Sequence, residues 1–266
     1  MLEKLLKPLA PYLPENNRLE RIWILAKFDF KSRYYYHNLG VLWALIKPLF
    51  EFVVYYVVFT MIFSSSMPNY ALYLFLGLIL WYFFVEGSSK GIHVLLSKRY
   101  LLENIPFNKL DLFISSTFSA FLGFLFNFFA YIVLSLILGI IPLNSYFLYF
   151  PLLIANLFLL TMGTSLLLAT IGIYVKDIQH VWDMVILAGL WLTPVLYDKA
   201  LIEEKFASLL YLNPVAGIMI NIREVILYNR LPDLTFLLFN FAYASLLFLL
   251  GYYLFKAYSH KAAEKI

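Results

Sequence analysis

KFDFKSRYYYHNLGVLWALIKPLFEFVVYYVVFTMIFS, residues Lys27–Ser64, decides how the rest of the chain is read. Three cations (Lys27, Lys31, Arg33) precede Tyr34, Tyr35 and Tyr36, and Asn38 and Gly40 break the pattern. The mostly apolar run that follows, 41–64, would make a helix roughly 36 Å long, enough to cross a hydrocarbon core of about 30 Å with some tilt. Cations, then tyrosines, then an apolar run is the order of a helix entering a bilayer from the cytoplasm, with the cations held inside and the tyrosines at headgroup depth. A cleavable signal peptide does not fit, because the apolar run starts far from Met1, is too long and lacks a small-residue cleavage site. The chain is therefore read as an integral membrane protein.

Composition agrees. Of 266 residues, 63% are hydrophobic and 14% charged, against about 25% charged in a soluble domain. The net charge of +4 reads as topology information, not as a nucleic-acid footprint. Without cysteine, disulfides, thiolate metal sites and a cysteine nucleophile are excluded. No transit peptide or lipidation motif is present.

Before the first span, Leu19, Ile22, Trp23, Ala26 and Phe30 recur at helical steps, with Arg18, Glu20, Arg21, Lys27 and Asp29 between them. This predicts an amphipathic helix that lies on the cytoplasmic membrane surface or packs on the protein's own underside. The predicted architecture is all-α with six transmembrane helices, near 41–63, 71–96, 110–140, 149–174, 181–197 and 234–255. It divides into an interfacial segment 1–40, a membrane domain 41–255 and a tail 256–266. Between the fifth and sixth spans, 198–233 reads as two short helices that dip back into the outer leaflet. Asn213 is the N-cap of the second, Pro214 its first helical residue, and Ile218, Ile222, Val225 and Ile226 its apolar stripe.

Charge sets the orientation. With the N-terminus inside, the inner segments hold Lys4, Lys7, Arg18, Arg21, Lys27, Lys31, Arg33, Lys98, Arg99, Lys109, Lys176, Lys256, Lys261 and Lys265. Outside lie only Lys199, Lys205, Arg223 and Arg230. Both termini are thus expected in the cytoplasm.

No catalytic set is visible. His37, His93, His180 and His260 are scattered, and no metal site is expected. There is no GxSxG, HExxH or GxxxxGK[ST], so any ATP would be bound by another chain. Charges inside spans are the functional candidates: Lys47 and Glu51 in the first, Glu86 and Lys90 in the second. Each pair is four residues apart, and cross-helix Lys–Glu pairing at matched depth is one reading. Snorkelling and charge neutralisation is the bland alternative, a hydrophilic vestibule or a proton relay the functional ones; balanced charge favours structure over ion coupling. With 26 Phe, 21 Tyr and 5 Trp, most rings are packing or interface residues. Tyr55, Tyr56 and Phe59 lie well inside the first span, and Tyr hydroxyls buried there would need partners. Rings of this kind, with Trp81 and the entry tyrosines Tyr34 and Tyr36, either pack or line a path along which sugars slide.

Three blocks resemble a known family: DFKSRYYYHNLGVLWALIKPL (29–49), YVKDIQHVWDMVILAGLWLTPVLYD (174–198) and YLNPVAGIMINIREVIL (211–227). They are similar to the basic run into L-G-x-x-W-x-x-x-x-P-L, the R-D-I block before a span ending S-P-x-x-Y, and the L-N-P-x-x-x-x-x-x-x-R-x-x-L block of type-2 ABC transporter permeases. The branch is the one that exports bacterial surface polysaccharides, closest to the O-antigen permeases. Lys176 and Thr193 stand where that pattern has Arg and Ser.

The resemblance implies a homodimer in the bacterial inner membrane, energised by two copies of a separate ATPase that holds ATP and Mg. No cofactor would be bound by this chain and no nucleic acid. The substrate would be a lipid-linked glycan. Loop 97–109, with Leu101, Leu102, Glu103, Ile105 and Phe107, would be the coupling element, and 198–228, with Asn213, Pro214, Arg223 and Glu224, the outer gate helices. A capsule or teichoic-acid exporter and a drug or lipid exporter are neighbouring readings. An ion-coupled carrier would want unpaired midplane acids and inverted repeats, and a membrane enzyme a convergent His/Asp/Glu set.

Overall fold

The structure is a computed structural model, and it describes residues 17–33, 38–62, 67–98, 108–140 and 145–265. Among these every regular element is helical. Helix α1 covers Arg18–Ser32. Gly40 takes a left-handed φ of 51° and opens a 3₁₀ turn, Gly40–Leu42, that feeds α2, Trp43–Val57. A π-helical turn, Val58–Ile62, extends α2. Helix α3 spans Tyr70–Ser97 and α4 Leu110–Ile137. The 3₁₀ segment Ser145–Tyr149 leads into α5, Phe150–Gly172. Then come α6 (Ile178–Leu192), α7 (Lys199–Leu212), α8 (Pro214–Ile226) and α9 (Leu234–Lys265).

Five of these segments are long and apolar enough to cross a membrane: Gly40–Met61, Tyr70–Ser97, Leu110–Ile137, Ser145–Gly172 and Leu234–Tyr258. The fifth predicted span, 181–197, is instead the shorter apolar helix α6, ~22 Å long. It stops at Leu192 because Pro194 forces the residue before it into an extended conformation (Thr193 φ −102°, ψ 137°). The last helix does not end at the predicted tail. It runs unbroken for 32 residues, roughly 48 Å, well past the apolar stretch.

Helix α3 is the axis of the bundle. In its most apolar window 78% of residues are buried, against 6% for the first span, and Leu72–Leu80 are buried without a break. An all-round apolar helix of this kind belongs inside a helical cage. It packs on α4 and α5, and α5 lies along α9 in the most extensive pairing of the fold. That pairing depends on small residues. A Cβ on Gly163 would fall 2.6 Å from the backbone nitrogen of Phe248, and one on Gly251 would fall 2.7 Å from the carbonyl oxygen of Gly163. Several hydroxyls within the spans bond to their own helices, as Thr161 does to Leu157 and Thr170 to Leu166, which removes those from the list of candidate ligands.

Helix α1 docks on α4. Ile22 and Ala26 are buried beneath it, and Arg18 and Arg21 reach the fully buried carboxylate of Asp111 at 2.7 and 3.3 Å. In the sequence these two arginines fall between the apolar positions of the amphipathic pattern. They turn inward because Asp111, in the first turn of α4, places an anion at a helix N-terminus and needs counter-charge. Lys98, at the end of α3, pairs with Asp29. The helix thus lies on the bundle's own end face.

Orientation is testable directly, since the chain has no cysteine. Cysteines at Ser145 and Ser208 should react with an impermeant thiol reagent from outside intact cells, and cysteines at Ser97 and Gln179 should not. Outside labelling at position 97 would reverse the topology.

Candidate functional site

Two polar centres lie at opposite ends of α3. At the α1 end, a cleft of about 440 Å³ opens between α2, α3 and α4. Its lining includes Lys47, Glu51, Glu86 and Lys90, all four of the intramembrane charges singled out in the sequence. A second cleft of about 380 Å³ continues toward α1 and shares Arg33, Ser89 and Lys90 with it.

The cross-helix Lys–Glu pairing that matched depth allowed does not form among the described residues. Glu86 is bound by Arg33 and, one turn along its own helix, by Lys90 at 2.6 Å. Arg33 also donates to the carbonyl oxygen and hydroxyl of Ser119 at 3.0 and 2.6 Å. Glu51 accepts a hydrogen bond from the hydroxyl of Tyr82. Lys47 makes no ion pair among the described residues. Glu51 meets Tyr82 where α2 and α3 pass each other, and Arg33 and Lys90 hold the Glu86 carboxylate.

Asn127 of α4 joins the site for a local reason. Pro48 lies inside α2 and has no N–H, so the carbonyl of Ala44, four residues earlier, lacks its helical donor. The Asn127 amide supplies one, donating to Ala44 at 3.1 Å and to Gly123 of its own helix at 2.9 Å. Its Oδ1 is buried with no donor among the described residues, and Asn127 lines the cleft.

The aromatic candidates separate. Tyr56 is 38% exposed and Tyr55 half-buried, so the expected burial of both within the first span does not hold. That span is largely uncovered. Tyr56 and Phe59 lie 6.1 and 6.3 Å from the Tyr70 ring. Trp81, offered as a path residue, is 5% exposed and packs where Gly189 of α6 leaves room, its Cη2 lying 2.7 Å from the position a Cβ would take. Tyr34, Tyr36, Leu101, Leu102, Glu103, Ile105 and Phe107 lie outside the described residues.

The other centre is built on Arg223. The sequence counts it as an exterior cation, yet it is 2% exposed. Its guanidinium donates to the carbonyls of Pro194, Tyr73 and Val195 and sits 3.4 Å from the centroid of the Tyr73 ring. These bonds solve a problem set by Thr193–Tyr197, a buried non-helical segment whose carbonyls have no helical donors. Tyr70 donates to Leu196 at 2.7 Å and Tyr73 to Tyr197 at 3.0 Å, completing the set. Gly77 makes the room, since a Cβ there would collide with the Arg223 Nη2.

Around it the two short helices are fixed as predicted locally. Asn213 caps α8, accepting from the amides of Val215 and Ala216 at 3.1 and 3.2 Å, and its own amide donates to Thr193 at 2.8 Å. Pro214 occupies the first turn, and Ile218, Ile222, Val225 and Ile226 are all buried. Glu224 pairs with Lys199 at 3.0 Å and Arg230 at 4.0 Å. Asn221 exchanges two hydrogen bonds with the backbone of Asp233, which ties α8 to the start of α9.

Sequence reasoning missed Arg33, Tyr82, Asn127, Tyr70 and Tyr73 as members of these centres. Only Asn127, a lone amide in an apolar span, carried a visible signal. Among the described residues no group of His, Asp and Glu is placed to hold a metal ion.

Comparison with known proteins adds the lineage. The chain is 25% identical over 228 residues to the "O-antigen export system permease protein RfbA" of Klebsiella pneumoniae, covering 86% of this chain and 85% of that protein. It is 27% identical over 211 residues to the protein of the same name from Myxococcus xanthus, covering 79% and 81%. To the "Polysialic acid transport protein KpsM" of Escherichia coli it is 22% identical over 222 residues, covering 81% and 85%. The family model for the ABC-2 type transporter matches residues 20–227. With both polar centres inside that match, this all-helical membrane protein belongs to the ABC-2 type transporter family.

Proposed function

We propose that this chain is the transmembrane subunit of an ATP-driven exporter that moves a lipid-linked polysaccharide of the O-antigen type across a bacterial inner membrane. The observation that carries the reading is the similarity, over about four-fifths or more of both chains, to permeases named for O-antigen and polysialic acid transport. Two copies assemble around the path, each with both termini in the cytoplasm. The first span, only 6% buried in its most apolar window, and α6, which has no buried residue, supply the faces that meet in the pair. A separate ATPase, also in two copies, supplies the energy. ATP and Mg reside there, since the sequence carries no phosphate-binding loop.

In this reading the α1 end, with its basic flanks, is cytoplasmic, and the Arg223 centre holds α7 and α8 as the outer gate. The π-helical turn at Val58–Ile62 lies at that outer end of the first span, a local unwinding of the kind found at functional positions. Rings exposed along the first span, Trp43 and Tyr56 among them, offer flat apolar faces to sugars without a deep well to arrest a sliding chain.

Loop 97–109 is the proposed coupling element. Leu101, Leu102 and Ile105 share one face of a short helical register, with Glu103 beside them and Pro106 to end it. Leu102→Asp is expected to leave the protein in the membrane while abolishing polysaccharide export and ATPase co-purification. Glu103→Ala should cost less, since rim charges contribute little. Normal export by Leu102→Asp with its ATPase still bound would remove the loop from this role.

A further inference from the structure

The cleft between α2, α3 and α4 carries an unbalanced charge. Arg33, Lys47 and Lys90 line it against Glu51 and Glu86. Two cations already share Glu86, and the Glu51 carboxylate accepts from Tyr82. Lys47 is left over. A cation beside apolar surface is stabilised by an anion that can reach it. Trp43 and Lys47 at the rim of the cleft are both exposed.

A second, independent observation narrows the ligand. Asn127 is 7% exposed, its two amide protons are committed to Ala44 and Gly123, and its Oδ1 has no donor among the described residues. An inorganic anion without protons cannot satisfy that oxygen. A hydroxyl can, and Glu51 offers further acceptor capacity in the same cleft. The ligand therefore carries a negative group for Lys47 and, adjoining it, hydroxyls for Asn127 and Glu51. The volume of about 440 Å³ is within the range of ordinary ligand pockets and holds a phosphate with one sugar ring or a glycerol.

We propose that this cleft is a binding site for a hydroxylated phosphate ester on a membrane lipid, with Lys47 as the counter-charge and Asn127 and Glu51 as the hydroxyl acceptors. Two sources present this chemistry: the phosphate-linked first sugar of a polyprenyl-carried glycan, and the glycerophosphate of phosphatidylglycerol. The first source rests on the export reading above; the site itself rests on the cleft. In that reading each arriving lipid-linked chain is held by its phosphate at the inner leaflet before its sugars enter the path.

The test uses the full chain in phosphatidylcholine nanodiscs, titrated separately with polyprenyl-diphosphate N-acetylglucosamine and with phosphatidylglycerol, binding being read by native mass spectrometry. Lys47→Gln should weaken binding of the glycan lipid roughly tenfold, and Lys47→Arg should restore most of it. Tight, Lys47-dependent binding of phosphatidylglycerol alone would keep the site and assign it to bulk lipid. Unchanged affinities for both lipids in Lys47→Gln would overturn the proposal. The two readings fail separately. Lys47-dependent binding in a chain that exports no glycan sinks the export reading alone, whereas export in a chain whose lipid binding ignores Lys47 sinks the site alone.

Discussion

Arg223→Met is expected to be the most damaging single substitution in this protein. Methionine fills much of the same volume and brings no donor. The Val195 carbonyl would then lose the hydrogen bond it receives from Arg223, and the Pro194 carbonyl would keep only the long contact from Tyr73 at 3.3 Å. A buried acceptor stripped of its donor costs about 1–3 kcal/mol, and removing one side of a buried charged network about 3–5 kcal/mol. At about 2–4 °C per kcal/mol for a chain of this size, the detergent-solubilised protein should melt on the order of 10 °C lower. Arg223→Lys should fall between, because one ammonium cannot span three carbonyls as a planar fork does. Gly77→Ala, which puts a methyl against the guanidinium, should reproduce the defect from the other side. A melting temperature within about 2 °C of the parent for Arg223→Met would mean that the Thr193–Tyr197 segment is held by something else.

Gly163→Val should be the next most damaging. The atoms a side chain would strike are the backbone nitrogen and Cα of Phe248, at 2.6 and 2.8 Å, and the backbone carbonyl carbon of Leu247, also at 2.8 Å. None can rotate away, so α5 and α9 must separate along their whole contact. Close approach through small residues is how membrane helices gain packing energy in the absence of a hydrophobic drive between them. Overpacking costs about 1–3 kcal/mol for modest intrusions, and valine adds two methyls beyond the first collision. The expected result is a large loss of folded protein on size-exclusion chromatography. Gly123→Ala serves as the control, since its Cβ would meet only Phe30 at 3.7 Å and Glu86 at 3.9 Å, ordinary contact distances. Equal behaviour of the two variants would show that the α5–α9 crossing is not limited by Gly163.

What could be read from the sequence was local. Apolar length located five helices long enough to cross a membrane but not the short fifth predicted span, and the Asn213–Pro214 cap placed the start of α8 because a cap is a contact between neighbours in the chain. The pairing of charges was not readable. Arg33 and Glu86 are 53 positions apart and meet only because α1 turns back onto α4 and α3. Lys47 and Glu51 lie on the first span, but the cross-helix pairing their depth allowed is not seen among the described residues, since charge spacing gives depth but not competition from a third group. Arg223 shows the same limit in sharper form. The positive-inside count treats every loop cation as solvated, whereas the stripe Ile222, Val225 and Ile226 around it already pointed inward. Two of the three carbonyls it serves lie 29 and 28 positions earlier, made available by a proline that ends α6. Asn127 was visible as a polar residue in an apolar span, but its cause, the missing N–H of Pro48 on another helix, required the fold.

The account's central claim is that this chain moves a lipid-linked polysaccharide using energy from a separate ATPase. Inverted membrane vesicles containing the chain and its ATPase, loaded on their outer face with radiolabelled lipid-linked glycan, test it most directly. The account predicts that ATP renders the glycan resistant to externally added glycosidase, and that omitting the chain, the ATPase or ATP abolishes this protection. Protection that persists without ATP or the ATPase, or that follows an imposed proton gradient instead, would contradict it.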